Sequence, residues 1–166
     1  MSAAVARRAA INTLLSGPAG GIIGALHVAS VTGCQNLITA DVGGTSFDVG
    51  VIKNGQATAN QELTAAGFPV LIPNLDIRTI GAGGGSIAWR DSAGALHVGP
   101  QSAGAHPGPM CYSRGGTEPT VTDAALVSGY IDPQYFLGGE MPIDVEHARR
   151  GILQKIAEPS GLSLTG

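Results

Sequence analysis

Apolar residues recur along this chain with two different periods, and the change of period marks its elements. From Ala3 to Leu15 the apolar positions Val5, Ile11, Leu14 and Leu15 fall roughly on one helical face, which predicts an alanine-rich helix with Arg7 and Arg8 in solvent. Ser16-Gly17-Pro18-Ala19-Gly20-Gly21 breaks it. Ile22, Ile23, Leu26, Val28, Ala29 and Val31 predict a second helix that starts near Pro18, a residue tolerated in a first turn, and ends at Gly33. His27, among these aliphatics, reads as a packing residue with no chemistry. Leu37 to Ala40 predict a strand, and the alternation of Phe47, Val49 and Val51 predicts another running to Lys53. Asn54-Gly55 is a strong hairpin signal, so a third strand is expected from about Gln56 to Leu63. Phe68 to Ile72 is a further apolar run closed by Pro73, and Ile87 to Trp89 and Ala95 to Val98 flank a turn. Thr120 or Thr122 should cap a short helix through Ala124 to Ser128. Asp144 should cap a last helix with Val145, Ile152, Leu153 and Ile156 apolar, Arg149, Arg150 and Lys155 solvated, and Glu158-Pro159-Ser160-Gly161 as its stop.

The chemistry gathers where the first two predicted strands meet, at Ala40-Asp41-Val42-Gly43-Gly44-Thr45-Ser46-Phe47-Asp48-Val49-Gly50. Glycine without a Cβ lets the backbone take positive φ and lets a ligand approach its N–H groups, which is how a hairpin holds phosphate. Thr45 and Ser46 add hydroxyls, and Asp41, at the lip of the first strand, suits water-mediated contact with a hard cation such as magnesium. An ordinary hairpin, with glycines serving only the turn, is the competing reading. A second cluster, Gly81-Ala82-Gly83-Gly84-Gly85-Ser86, is clasped between Ile80 and Ile87, so it reads as a place of close approach by a ligand or by other backbone rather than a linker. Gly99 to Tyr112 has neither helical nor strand period and is too long for a connector. Its His106 and Cys111 make an incomplete metal site, and structural roles are expected for both.

Composition narrows the class. At 166 residues and 43% hydrophobic content the chain can build one compact domain, and 26 glycines with only 4% aromatics describe small side chains packed closely between frequent turns. A net charge of -3 without a basic run argues against a nucleic-acid partner. No apolar segment approaches the length of a membrane span and no signal core opens the chain, so a cytoplasmic protein without a membrane partner is expected. Cys34 and Cys111, far apart and without C-x-x-C spacing, suit free thiols.

The glycine hairpin, the meander after it and Ile80-Gly81-Ala82-Gly83-Gly84-Gly85 together resemble the second phosphate-binding lobe of the actin-like ATPase superfamily. Within it, five ordered motifs resemble the hydantoinase A/oxoprolinase family, N-methylhydantoinase A-like, over nearly the whole chain: Ser16 to Gly21, Gly81 to Ala88, Val98 to Ala105, Pro107 to Tyr112, and Pro119 to Ala124. The resemblance implies an α/β, ribonuclease H-like lobe in which an antiparallel meander flanked by helices carries the phosphate hairpin. It implies ATP with magnesium or another divalent metal, and opening of a cyclic amide, a hydantoin or 5-oxoproline, after activation of the amide oxygen by phosphorylation. By carry-over Gly43, Gly44, Thr45 and Ser46 would hold phosphate, and Gly81, Gly83, Gly84 and Gly85 would lie along the nucleotide. Asp41 and Asp48 would be the catalytic carboxylates, Asp41 placing the metal or water, and the Gly99 to Tyr112 loop would face the substrate. Family members carry another D-x-G-G-T in a preceding lobe, so residues 1–166 are expected to be one domain of a larger protein, inactive alone. An oligomer or a hydantoinase B-type partner subunit is also implied. Ser113 stands where the family usually has glycine. A subunit of a related ATP-dependent acetone or acetophenone carboxylase, and a non-catalytic nucleotide-binding or assembly module, are the alternatives.

Overall fold

The hydroxyl of Ser2 accepts from the Val5 amide and starts α1 (Ala3–Arg8), whose Arg7 and Arg8 sit in the last turn, where the helix dipole favours cations. The computed structural model describes residues 2–65 and 67–164. The helix does not run on to Leu15 as expected. Ala9 leaves helical geometry, a tighter turn spans Ala10–Thr13, and Leu15 is left-handed at φ 56°. Val5, Ile11 and Leu14 are all exposed, so no burial sustains a longer helix. Helix α2 (Ser16–Thr32) holds Pro18 in its first turn and closes on Gly33 at φ 73°. Ile22 and Ala29, two turns apart, are its buried residues. His27 lies off that face and is exposed, contrary to the packing role expected of it.

Contacts divide the chain into two compact units: residues up to Asp41 with Asp48–Thr79, and Val42–Phe47 with Ile80 onward. The first unit is built on β1 (Leu37–Val42), β2 (Phe47–Lys53) and β3 (Gln56–Ala57), paired in that order. Asn54 and Gly55 both have positive φ, the geometry of the tight hairpin turn that Asn-Gly favours, and set Lys53 opposite Gln56. The third strand ends at Ala57 instead of Leu63, because Thr58, Asn60, Gln61 and Glu62 offer the sheet little apolar surface to bury. The chain goes instead through β4 (Ala59–Asn60), β5 (Leu63–Ala65), β6 (Phe68–Val70) and β7 (Asn74–Leu75), with β4 paired to β7 and β5 to β6. β8 (Ile77–Ile80) then pairs with β2. Helix α2 seats on β2 at Gly50, where a Cβ would stand 2.7 Å from Ile22 Cγ1.

In the second unit β9 (Ser86–Arg90) and β10 (Leu96–Ser102) form an antiparallel hairpin with His97 opposite Trp89. Asp91 Oδ1 accepts from the Ala93 and Ala95 amides and shapes its turn. Thr120 caps α3 (Val121–Val127) in a reciprocal box with Asp123, and Asp144 caps α4 (Val145–Ile152) by accepting from the His147 amide, both as expected. The core joins Cys111, Leu126 and Ala148, with Tyr112, Val127, Ile131, Ile143 and Val145 packed around them. The result is a mixed α/β chain. Among the described residues no helix is long and apolar enough to cross a membrane.

Candidate functional site

The loop 43–46 belongs to the second unit and is held there by the second glycine cluster. It closes on itself with Gly43 N–H donating to Ser46 O at 2.9 Å. The amides of Gly83, Gly84 and Gly85 then donate to the carbonyls of Thr45, Gly43 and Gly44, at 3.4, 2.8 and 2.6 Å, and Ser86 Oγ donates to Thr45 O at 3.3 Å. Three carbonyls of the loop are thereby turned toward protein. The backbones touch so closely that a Cβ on Gly83 would lie 2.5 Å from Ser46 N and 2.6 Å from Thr45 C. Close approach is the reason for the glycines of this cluster, and what approaches at Gly83 is the hairpin backbone.

Among the described residues no acceptor takes the N–H of Gly44 or of Thr45. Neither Gly43 nor Gly44 has the positive φ expected from the sequence. A Cβ on Gly44 would meet nothing within 4 Å, so neither backbone conformation nor packing requires glycine there. Gly44 instead lines a cavity of about 600 Å³ with Val42, Gly43, Thr45, Gly84 and Gly85 on one side. Gly104, Ala105, Pro109, Tyr112, Val121, Thr122, Ala125 and Ile131 complete the wall. Of the candidate phosphate and nucleotide residues, Gly43, Gly44, Thr45, Gly84 and Gly85 therefore share one cavity. Ser46, Gly81 and Gly83 are not in its lining, and Gly81 packs where its Cβ would be 3.3 Å from Pro100.

Asp41 and Asp48 belong to the first unit, where both line a mainly apolar cavity of about 410 Å³ between α2 and the sheet. Asp41 is exposed, and Asp48 Oδ1 accepts from Thr79 Oγ1 at 2.6 Å. No group of three or more His, Cys, Asp or Glu side chains able to hold a metal occurs among the described residues. His106 is exposed and Cys111 fully buried, and burial, with the nearby Asp123 carboxylate adding to it, pushes the Cys111 thiol far up. That thiol is structural, not a nucleophile.

Asp123 is the residue sequence reasoning undervalued. Its Oδ2 accepts from Met110 N, Thr120 N and Thr120 Oγ1, and its Oδ1 from Cys111 N, at 2.8 to 3.1 Å. One fully buried carboxylate thus fixes the end of the long loop that presents Pro109 and Tyr112 to the cavity. The Thr120-x-x-Asp123 spacing signals the cap, but the reach to residues ten or more positions upstream has no local signature. Thr122 does similar work: its Oγ1 donates to Gly84 O at 2.8 Å. Burial raises the Tyr112 phenol, with Cys111 and Asp123 adding and Arg114 opposing, so at neutral pH the cavity faces a neutral tyrosine.

The model of the hydantoinase/oxoprolinase family matches residues 1–165. The chain is 46% identical over 160 residues to the alpha subunit of a caprolactamase from Pseudomonas jessenii, covering 96% of this chain and 23% of that protein. It is 42% identical over 163 residues to the gamma subunit of acetophenone carboxylase from Aromatoleum aromaticum, covering 97% and 22%. The nucleotide-free structure of acetone carboxylase, an enzyme of ATP-dependent acetone carboxylation, superposes with a TM-score of 0.79 at 37% identity over 90% of this chain and 21% of that one. The chain spans about a fifth of the length of these relatives. Matched along almost its entire length, the chain belongs to the hydantoinase/oxoprolinase family.

Proposed function

We propose that this chain is a phosphate-binding lobe, of actin-like ATPase type, in an ATP-dependent enzyme that opens cyclic amides such as a hydantoin, 5-oxoproline or a lactam. The observation that carries the reading is Gly44: a glycine the fold does not require, with its own N–H and that of Thr45 unclaimed, at the wall of a cavity. Two consecutive backbone donors suit a phosphate, whose oxygens accept strong charge-assisted bonds. The caprolactamase relative supports the cyclic amide. A cyclic amide is resonance-stabilised, and ATP would supply the driving force by phosphorylating the amide oxygen. The chain's contribution would be to position a phosphate by backbone amides in a partly apolar cavity, where such donors are most effective.

Asp41 and Asp48 are proposed, from the D-x-G-G-T-x-x-D motif, as the carboxylates that place magnesium and water. Exposed carboxylate oxygen at Asp41 fits the hard-cation chemistry of magnesium, which is commonly held by one or two carboxylates plus substrate phosphates and not by an all-protein cage. Other parts of the whole enzyme, including a second phosphate loop and a partner subunit, follow from the family pattern. The relatives are named as alpha and gamma subunits, which supports a partner. A carboxylase subunit is the second reading, favoured by the likeness to acetone carboxylase. Amide nitrogen-proton spectra of the chain titrated with magnesium-ATP test the common part. Gly44 and Thr45 resonances are expected to move first and furthest, and shifts confined to other residues would refute the phosphate loop.

A further inference from the structure

Each N–H of the phosphate loop shares a planar peptide with the carbonyl before it, so whatever holds that carbonyl also sets the N–H. The Thr45 N–H shares its peptide with Gly44 O, which accepts from the Gly85 amide at 2.6 Å. The Gly85 N–H in turn shares its peptide with Gly84 O. That oxygen takes two donors, the Thr122 amide and the Thr122 hydroxyl, each at 2.8 Å. Both peptides are trans, so in each the N–H points opposite to the C=O. A relay therefore runs from Thr122, in the first turn of α3, through the 84–85 and 44–45 peptides to the Thr45 N–H. Glycine at 84 leaves the hydroxyl its approach, since a Cβ there would stand 2.9 Å from Thr122 Oγ1. The Gly44 N–H is reached by a parallel relay made of backbone: Ser86 N–H donates to Gly83 O at 2.9 Å, and Gly84 N–H to Gly43 O at 2.8 Å.

Resting on the phosphate-loop reading and deepening it, we infer that Thr122 is a positioning residue for phosphate: its hydroxyl fixes and polarises the 84–85 and 44–45 peptides and so readies the Thr45 N–H as a donor. With Gly84 O held by two donors, the 84–85 peptide cannot turn, its N–H stays on Gly44 O, and the 44–45 peptide is held in its turn. Polarisation acts in the same direction, because a peptide whose carbonyl accepts is a better donor at its N–H, and hydrogen bonds in a chain reinforce one another. Donors fixed beforehand stabilise charge better than donors that must turn to meet it. Thr122 Oγ1 spends its one hydrogen on Gly84 O, so it acts through the loop and has none left to give a ligand. Asp123, the next residue, holds Met110 and Cys111, so the first turn of α3 supports the phosphate loop and the long loop together.

Amide nitrogen-proton spectra of the chain carrying Thr122→Val or Thr122→Ser test this. Valine keeps the backbone donor and the branched shape but loses the hydroxyl, whereas serine keeps the hydroxyl. Before any ligand is added, the Thr45 resonance should move in the valine variant and that of Gly44 should move less, since its own relay starts at the Ser86 amide. Titration with magnesium-ATP should then show the affinity read at Thr45 lowered at least about threefold by valine, in line with the worth of one hydrogen bond, and restored by serine to within about twofold of the parent. A hydroxyl that only steadied the fold would lower the urea midpoint and leave the affinity of the folded chain as it was. An unmoved Thr45 resonance, a valine variant that binds as tightly as the parent, or a serine variant as weak as valine would each overturn the proposal. If the valine variant fails to fold, Thr122→Cys, whose thiol is a weak donor of similar size, should weaken binding at least about twofold, and parental affinity there would overturn it equally. A parent whose Gly44 and Thr45 amides both ignore magnesium-ATP refutes the phosphate loop itself; amides that respond alike in parent and valine variant refute the relay alone.

Discussion

Replacing Asp123 by alanine should be among the most damaging single changes in the second unit. The carboxylate is fully buried and takes four hydrogen bonds, from the amides of Met110, Cys111 and Thr120 and from the Thr120 hydroxyl. Alanine leaves those donors without their acceptor, and at about 1 kcal/mol net for each the loss comes to about 4 kcal/mol. Asparagine discriminates the cause. Its carbonyl can take the Oδ2 position and keep three of the bonds, while its NH2 faces the Cys111 amide, so the cost should fall to about 1 to 2 kcal/mol. Trp89 is the chain's one tryptophan and lies in the second unit, stacked on His97 at 4.7 Å, so its fluorescence in a urea titration reports this unit. With a slope of about 1 to 2 kcal/mol per M, the midpoint should drop by at least about 2 M for alanine and by about 1 M for asparagine. An alanine variant within about 1 kcal/mol of the parent would refute the claim that this carboxylate anchors the loop.

Other consequences can be checked as directly. Gly83→Ala should cost about 1 to 3 kcal/mol in the same titration, because its Cβ would meet hairpin backbone rather than a side chain that can swing aside; a neutral result would contradict the close packing of the two glycine segments. Of the two thiols, exposed Cys34 should react with a disulfide reagent at pH 8 in the native chain and buried Cys111 only after unfolding; two fast equivalents would disprove the burial. Asp91 titrates below the ordinary carboxylate range, chiefly through its hydrogen bond with His97 at 2.7 Å. A folded value below the unfolded one means that its contribution is present above about pH 4 and fades as the pH falls through the folded value. Carbon-detected titration of the His97→Ala variant should return Asp91 toward the ordinary value.

Much of this was legible from residue pattern because the signals were local. Asn54-Gly55, the Thr120 and Asp144 caps, and Gly33 each act within a few residues, and each element they bound is present. Helices and strands that needed burial by distant partners were less legible. The stretch after Arg8 finds no core and loses its helix, and the polar residues after Ala57 leave the expected third strand for short pairings elsewhere. At the candidate site the sequence identified both glycine clusters but could not distribute their roles. Gly83 is occupied by backbone, whereas Gly44 faces open cavity, a difference that only three-dimensional neighbours decide. Ala125 and Ile131 lie outside every motif and, with Tyr112 of the long loop, become visible as a wall only once Asp123 has fixed that loop beside α3.

Whether Gly44 serves a ligand or the fold is separated by one variant. Gly44→Val should leave the urea midpoint within the equivalent of about 0.5 kcal/mol, since its Cβ enters open space. Calorimetric titration of magnesium-ATP into the same variant should show the parent's weak, saturable binding abolished. Binding equal to the parent's, or loss of binding accompanied by a large loss of stability, would contradict the account.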